Sequence, residues 1–103
     1  MTPRCTLTAT LHARPEKRAE LVALLASFVE PSRSEPGCVE YHFHVSADDP
    51  NVFYFYENWV TRADLNRHLE LPYQKSWFGR HDEFLTRPAE LKFYDMLSEY
   101  AAS

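Results

Sequence analysis

The stretch EPGCVEYHFHVSADDPNVFYFYENWVTRADLNRHL, residues Glu35–Leu69, decides the fold. Cys38 to Ser46 and Val52 to Val60 are rich in β-branched and aromatic residues, and Ala47, Asp48, Asp49, Pro50 and Asn51 between them have turn composition, so the pair reads as an antiparallel hairpin. Its register follows from charge. With Val45 opposite Phe53, Phe43 meets Phe55, Tyr41 meets Glu57 and Val39 meets Trp59, whereas a slip of one residue sets Glu40 against Glu57, a destabilising like-charge pair. The first register gives a face of Val39, Tyr41, Phe43, Val45, Phe53, Phe55, Glu57 and Trp59 destined for the core. Cys38, Glu40, His42, His44, Tyr54, Tyr56 and Asn58 fall on the other face, an amphipathic set suited to an interface. Thr61 then reads as the N-cap of a helix with Asp64 at its third position, and Leu65, His68 and Leu69 fall on the inner stripe.

Working outward, Arg4 to His12 alternates Cys5, Leu7, Ala9 and Leu11 with Thr6, Thr8, Thr10 and His12, a first strand. Pro15 opens a helix of about 18 residues in which Leu21, Leu24, Leu25, Phe28 and Val29 recur at helical spacing until Ser34, Glu35, Pro36 and Gly37 end it. Pro72 restarts the second helix, patterned by Tyr73, Trp77, Phe78, Phe84 and Leu85. After Pro88, Leu91, Phe93, Asp95 and Leu97 alternate with Lys92, Tyr94 and Met96 as a fourth strand. The order β-α-β-β-α-β, with the second helix split near Pro72, predicts an α+β, ferredoxin-like fold with all helices on one sheet face. The other face then needs water or a second subunit, which predicts a homodimer through the sheets.

A chain of 103 residues, 45% hydrophobic and 25% charged, is expected to form one soluble domain across residues 1–103, and 15% aromatic content is rich for that size. A net charge of −4 with scattered Lys and Arg argues against nucleic acid. No stretch of about 18 apolar residues crosses a membrane and the first residues lack a signal-peptide run, so a cytoplasmic location is expected. Cys5 and Cys38 lack metal or dithiol spacing and are expected to be reduced.

Three residues stand out chemically. Glu57 is a carboxyl on an otherwise apolar face, where desolvation raises its pKa toward neutrality; the alternative is a brace that accepts a hydrogen bond from Tyr41. Trp59 is either core packing or a ring whose N–H awaits a ligand. His68 is the best general base on offer or else a hydrogen-bonded core histidine. His81, one turn beyond Trp77, is solvent-facing or at a pocket rim. His42 and His44 share a strand face without a third metal ligand at diagnostic spacing, so interface roles are expected there.

The pieces Pro36-Gly37-Cys38 before a strand with Tyr41, Asp49-Pro50 in the turn, Tyr56-Glu57-Asn58-Trp59, and His68-Leu69 followed by Pro72-Tyr73 resemble the antibiotic biosynthesis monooxygenase domain, also seen in small bacterial quinol monooxygenases. The resemblance implies a dimeric α+β barrel with a pocket between sheet and helices in each subunit. It further implies an enzyme that oxidises a hydroxylated aromatic or quinol with molecular oxygen and takes no flavin, haem or metal. In that scheme His68 is the base, Glu57, Tyr41 and Asn58 orient or donate, and Trp59, Tyr41, Phe43, Phe55, Trp77 and Phe78 contact the substrate. Asn58 faces away from Glu57 in the preferred register, which makes it the weakest of these.

Other branches of the same fold offer alternatives. One binds and degrades haem through a strand-one asparagine, a tryptophan and a helix histidine; this chain keeps Trp59 and His68 but has Thr8 on strand one and a shorter tryptophan-to-histidine interval. An isomerase branch acts on phosphorylated sugar-like molecules, for which Arg62, Arg67 or Arg80 could serve. A non-catalytic dimeric module that sequesters a small aromatic ligand is the alternative of a different class.

Overall fold

A computed structural model describes residues 5–99. Alternation of threonines with apolar residues builds β1, Cys5–His12, one of the two inner strands of the sheet. The hairpin strands β2, Cys38–Val45, and β3, Val52–Trp59, and the final strand β4, Glu90–Asp95, complete an antiparallel sheet of order β2-β3-β1-β4. That order is the ferredoxin-like one expected from the sequence.

The hairpin register is the expected one from Val45↔Phe53 through Phe43↔Phe55 to Tyr41↔Glu57. It breaks at the end of the hairpin. A bulge between Cys38 and Glu40 brings Cys38, not Val39, opposite Trp59 and leaves Val39 40% exposed, so the expected Val39–Trp59 pair is corrected. Val45, also expected beneath the helices, is 49% exposed because the edge strand outruns its cover.

The first helical region is not one continuous helix. A 3₁₀ turn at Pro15–Lys17 leads into α1, Arg18–Ala26, which stops at Ser27 before α2, Val29–Arg33. The Ser27 hydroxyl donates to the Leu24 carbonyl, a local bond that competes with the helical ladder. The buried stripe of Leu21, Leu25, Phe28 and Ser32 nevertheless runs through the break.

On the other side of the hairpin α3, Arg62–Leu69, begins where Thr61 Oγ1 accepts from the Asp64 amide at 3.1 Å, a cap worth about 1 kcal/mol. Pro72 opens α4, Pro72–Phe78, and Gly79-Arg80 separates it from the short α5, His81–Phe84. The chain then returns to β1, with the Thr86 amide donating to the His12 carbonyl at 2.9 Å and an isolated bridge joining Ala13 to Leu85. β4 ends at Asp95, and Leu97, expected to extend it, is 96% exposed.

The turn before β2 depends on one glycine. Gly37 has φ +83°, a left-handed conformation costly for other residues, and a Cβ there would enter the Asp64 carboxyl. The Gly37 carbonyl accepts from the Val60 amide at 2.8 Å, and Arg67 reaches both Asp64 and the Pro36 carbonyl. The turn that carries Glu35 is thereby tied to the start of the helix that carries His68.

Candidate active site

The inner sheet face and the helices line a small, partly open cavity. Leu7, Ala9 and Leu11 of β1, with Ala89 and Leu91 beside them, form an aliphatic floor. The polar groups on its wall are few: Tyr41, Glu57, Gln74 and His81. Phe55, Phe28, Trp77 and Phe78 supply aromatic surface, so the space suits a flat apolar ligand with a small number of polar atoms.

Glu57 is 4% exposed, and its position follows from the hairpin register, which sets it between Leu7 and Tyr41. Burial pushes its carboxyl up to about 8; the Trp59 hydrogen bond works against this rise and the nearby Glu35 charge adds to it. Trp59 Nε1 donates to Glu57 Oε1 at 3.1 Å. The brace expected from Tyr41 is thus supplied by Trp59, and of the two alternatives for Trp59 the structure favours core packing, its N–H being bonded to Glu57. The Tyr41 phenol lies beside Ser32 and Gln74, and burial raises its pKa above the ordinary range.

His68 is 1% exposed and sits behind Glu57 rather than on the cavity wall. Its ring packs on Trp59 at 4.6 Å between centroids and meets Tyr41 edge-on at 5.7 Å. Nε2 lies 3.8 Å from Glu57 Oε1, and Nδ1 lies 2.9 and 3.1 Å from the two oxygens of Glu35. With a carboxylate on the Nδ1 side, the neutral ring carries its proton there and turns the Nε2 lone pair toward Glu57. Desolvation lowers the His68 pKa, and Glu35 opposes that fall.

Glu35 was legible in the sequence only as part of a helix terminator. The structure makes it the partner of His68 and also of Tyr73, whose hydroxyl donates to Glu35 Oε2 at 2.7 Å. Burial, together with the Glu35 contact, pushes the Tyr73 phenol up to about 12. Gln74 is likewise a wall residue that periodicity did not reveal, being 4% exposed on α4.

The remaining expected site residues divide. Trp77 and Phe78 line the cavity with Phe55 and Tyr41, whereas Phe43 stacks on Phe53 and Phe55 outside the lining. Trp59 is fully buried behind the wall. His81 lines the cavity with its ring 4.4 Å from Trp77, and its buried Nε2 has no hydrogen-bond partner among the described residues. Asn58 points to the opposite sheet face, where its Nδ2 donates to Glu40 and its Oδ1 accepts from Thr6, both at 2.5 Å.

The alternative chemistries can be tested on the same residues. Thr8 pairs with Tyr56 on the far sheet face, and both ring nitrogens of His68 face carboxylates, so these residues do not fit a haem. Arg62 packs over Phe93, Arg67 binds Asp64 and Arg80 binds Glu83; none of the three lines the cavity, and among the described residues no Lys or Arg does. Among the described residues no group of three or more His, Cys, Asp or Glu is placed to hold a metal, and no helix is long and apolar enough to cross a membrane.

Comparison with known proteins agrees with this fold. The family model described as antibiotic biosynthesis monooxygenase matches residues 5–80. Rv0793 of Mycobacterium tuberculosis, provisionally named a monooxygenase, is 32% identical over 102 residues, covering 99% of this chain and all of that protein. Its solved structure superposes with a TM-score of 0.88, covering 95% of this chain and 99% of that one. PA3566 of Pseudomonas aeruginosa, 31% identical, superposes with a TM-score of 0.85 over 95% of this chain and 97% of that one. The uncharacterized protein sll1783 of Synechocystis is 39% identical over 88 residues, which are 85% of this chain and 60% of that longer protein. The match across β1, the hairpin and the helices that bear Glu57, Trp59 and His68 makes this chain a member of the antibiotic biosynthesis monooxygenase family.

Proposed function

We propose that this chain is a cofactor-independent monooxygenase that oxidises a hydroxylated aromatic or quinol with molecular oxygen. One observation carries the reading: a carboxyl with its pKa moved up to about 8 on the wall of a largely apolar cavity, backed by a histidine. Two relatives, Rv0793 and YcnE of Bacillus subtilis, carry provisional monooxygenase names, which supports the same class.

In this scheme the substrate supplies the electrons. Ionised Glu57 takes the phenolic proton, the electron-rich anion reduces oxygen to a peroxide anion bonded to a ring carbon, and Glu57 returns its proton to that peroxide to give the hydroperoxide. Loss of water from a hydroperoxide carbon that also bears hydrogen leaves a carbonyl: one oxygen atom stays in the product and the other departs in water, with the substrate oxidised by two electrons beyond the inserted oxygen. The protein's part is to move protons at Glu57, keep the anion in a dry space and orient its rings against Phe55 and Trp77.

The active form is a homodimer joined through the sheets. On the sheet face away from the helices Tyr94 of β4 is 50% exposed and Tyr54 of β3 is 37% exposed, which supports a partner over that face. The test is oxygen uptake by metal-free protein with a panel of quinols. Turnover that falls on His68→Ala is expected; no uptake with any quinol, or uptake unchanged in that variant, would sink the monooxygenase reading. Binding of an aromatic ligand without chemical change over hours would favour the sequestering module instead.

A further inference from the structure

Glu57 takes a proton from the substrate early in the reaction above and must surrender one later, yet it is almost wholly buried. Its neighbours away from the cavity form a line. His68 Nε2 lies 3.8 Å from Glu57 Oε1, the Glu35 oxygens lie 2.9 and 3.1 Å from His68 Nδ1, and the Tyr73 hydroxyl donates to Glu35 Oε2 at 2.7 Å, with Ser32 Oγ 2.9 Å from that hydroxyl. Glu35 and Tyr73 reach toward the surface, the Glu35 side chain being 14% exposed against 1% for His68 and 5% for Glu57. His68 is thus flanked by two carboxylates, one toward the cavity and one toward solvent.

The geometry points to Glu35 as a positioning residue of the reaction, holding His68 in the Nδ1–H tautomer so that its Nε2 lone pair is offered to Glu57 and shares the substrate's proton. This rests on the reading of Glu57 as the cavity base. The proton passes from the substrate hydroxyl to Glu57, whose carboxyl is the stronger base of the pair and shares it with the free Nε2 lone pair of His68. Glu35, on the far side of the ring, supports that sharing by accepting the Nδ1–H. Glu57 returns the proton to the peroxide anion, and the outer oxygen then leaves as water with the hydrogen lost from the same ring carbon. The protons balance within one turnover and His68 keeps its Nδ1–H throughout, so no ring flip is required. The 3.8 Å gap exceeds a hydrogen bond and closes by rotation of the Glu57 carboxyl, as loose contacts in ligand-free sites commonly do.

The placement of Glu35 is itself built in. Gly37, in its left-handed conformation, turns the chain back beside α3, and Arg67 clasps the Pro36 carbonyl from the same helix as His68. The other titratable groups packed around His68 are Tyr41 of β2 and Tyr73 of α4, with their rings 5.7 and 6.2 Å away. Cys38 of β2 lies in the field of Glu57 and Glu35, with Arg33 of α2 acting on it from outside. Both phenols have raised pKa values and stay neutral across the working range, so Glu35 and Glu57 are the groups that set the charge at the ring.

The experiment compares wild type, Glu35→Gln and Glu35→Asp, each with ¹⁵N-labelled histidine, by long-range ¹H–¹⁵N spectra without substrate, followed by quinol turnover. The wild type is expected to show His68 protonated at Nδ1 and bare at Nε2. Glu35→Gln is expected to show mixed tautomers and a lower His68 titration midpoint, with kcat reduced by about 100-fold and KM little changed. Glu35→Asp, which keeps the charge, is expected to restore the tautomer and part of kcat, and it serves as the folded control if the glutamine variant is unstable. A wild-type ring protonated at Nε2, or a tautomer and midpoint in folded Glu35→Gln that match the wild type, would overturn the inference. The spectra need no substrate, so a chain that turns over no quinol but shows the expected tautomers would refute the monooxygenase reading while leaving the role of Glu35 toward His68 standing.

Discussion

Replacing Glu57 with glutamine should make the protein more stable in alkaline solution while removing its activity. The amide is nearly isosteric, and its oxygen can accept from Trp59 Nε1 as the carboxyl does at 3.1 Å. What changes is the charge. Below an ordinary carboxyl pKa of 4.5 the group is protonated in folded and unfolded chains alike and costs nothing. Between 4.5 and about 8 the unfolded chain ionises while the folded chain keeps the proton, so stability falls by about 1.4 kcal/mol per pH unit; above about 8 both are ionised and the loss levels off. The full cost is on the order of 5 kcal/mol, and about 2 kcal/mol of it accumulates between pH 6 and pH 8. His68, its pKa lowered by burial, has the opposite slope below its ordinary value because the folded ring resists protonation, and that contribution is largely shared by both proteins. Urea unfolding at pH 6, 7 and 8, at one protein concentration, should therefore show the variant's advantage widening by about 2 kcal/mol, equivalent to roughly 4–8 °C in Tm for each kcal/mol in a domain of this size. An advantage that stays constant across that range would refute the placement of a desolvated carboxyl at position 57.

Gly37→Ala should lower the urea midpoint by the equivalent of about 1–3 kcal/mol, since it combines a strained φ with a Cβ thrust into Asp64; an unchanged midpoint would mean the turn is not held as described. His81→Leu removes a buried nitrogen that has no partner among the described residues, so thermal stability should hold or rise. The same variant should raise the KM for a quinol several-fold with kcat little altered, and an unaltered KM would remove His81 from the substrate's contacts.

The hairpin register was legible because it depends on side-chain alternation and one like-charge clash, both of which are written in the residues themselves. The bulge at Val39 was not, because an extra residue in one strand changes pairing without changing the alternation on either side of it. Likewise Leu21, Leu25 and Phe28 disclose a buried helical stripe, while the interruption at Ser27 rests on a hydroxyl-to-carbonyl bond that periodicity does not record. In the site, Glu57 was singled out because a carboxyl on an apolar face is anomalous by itself. Glu35 lies in a turn of ordinary composition, and its meaning comes from contacts to residues 33 and 38 positions further along the chain. The signal that could have found it is Gly37, whose left-handed turn returns the preceding residues toward α3.

The cavity's aliphatic floor separates two properties that many sites entangle. The groups that handle protons, Glu35, Glu57, His68 and Tyr73, lie on the hairpin, α3, α4 and the turn before β2, whereas the floor comes from β1 and the approach to β4 through Leu7, Ala9, Leu11, Ala89 and Leu91. Two of those five are alanines, the smallest side chains available that still have a Cβ. The volume offered to a ligand can therefore be enlarged or narrowed by exchanging floor residues without touching the hydrogen bonds that set the chemistry. For a redesign the two strands are an adjustable mould beneath a fixed reagent, and a library confined to positions 9, 11, 89 and 91 would explore substrate shape while holding reactivity constant.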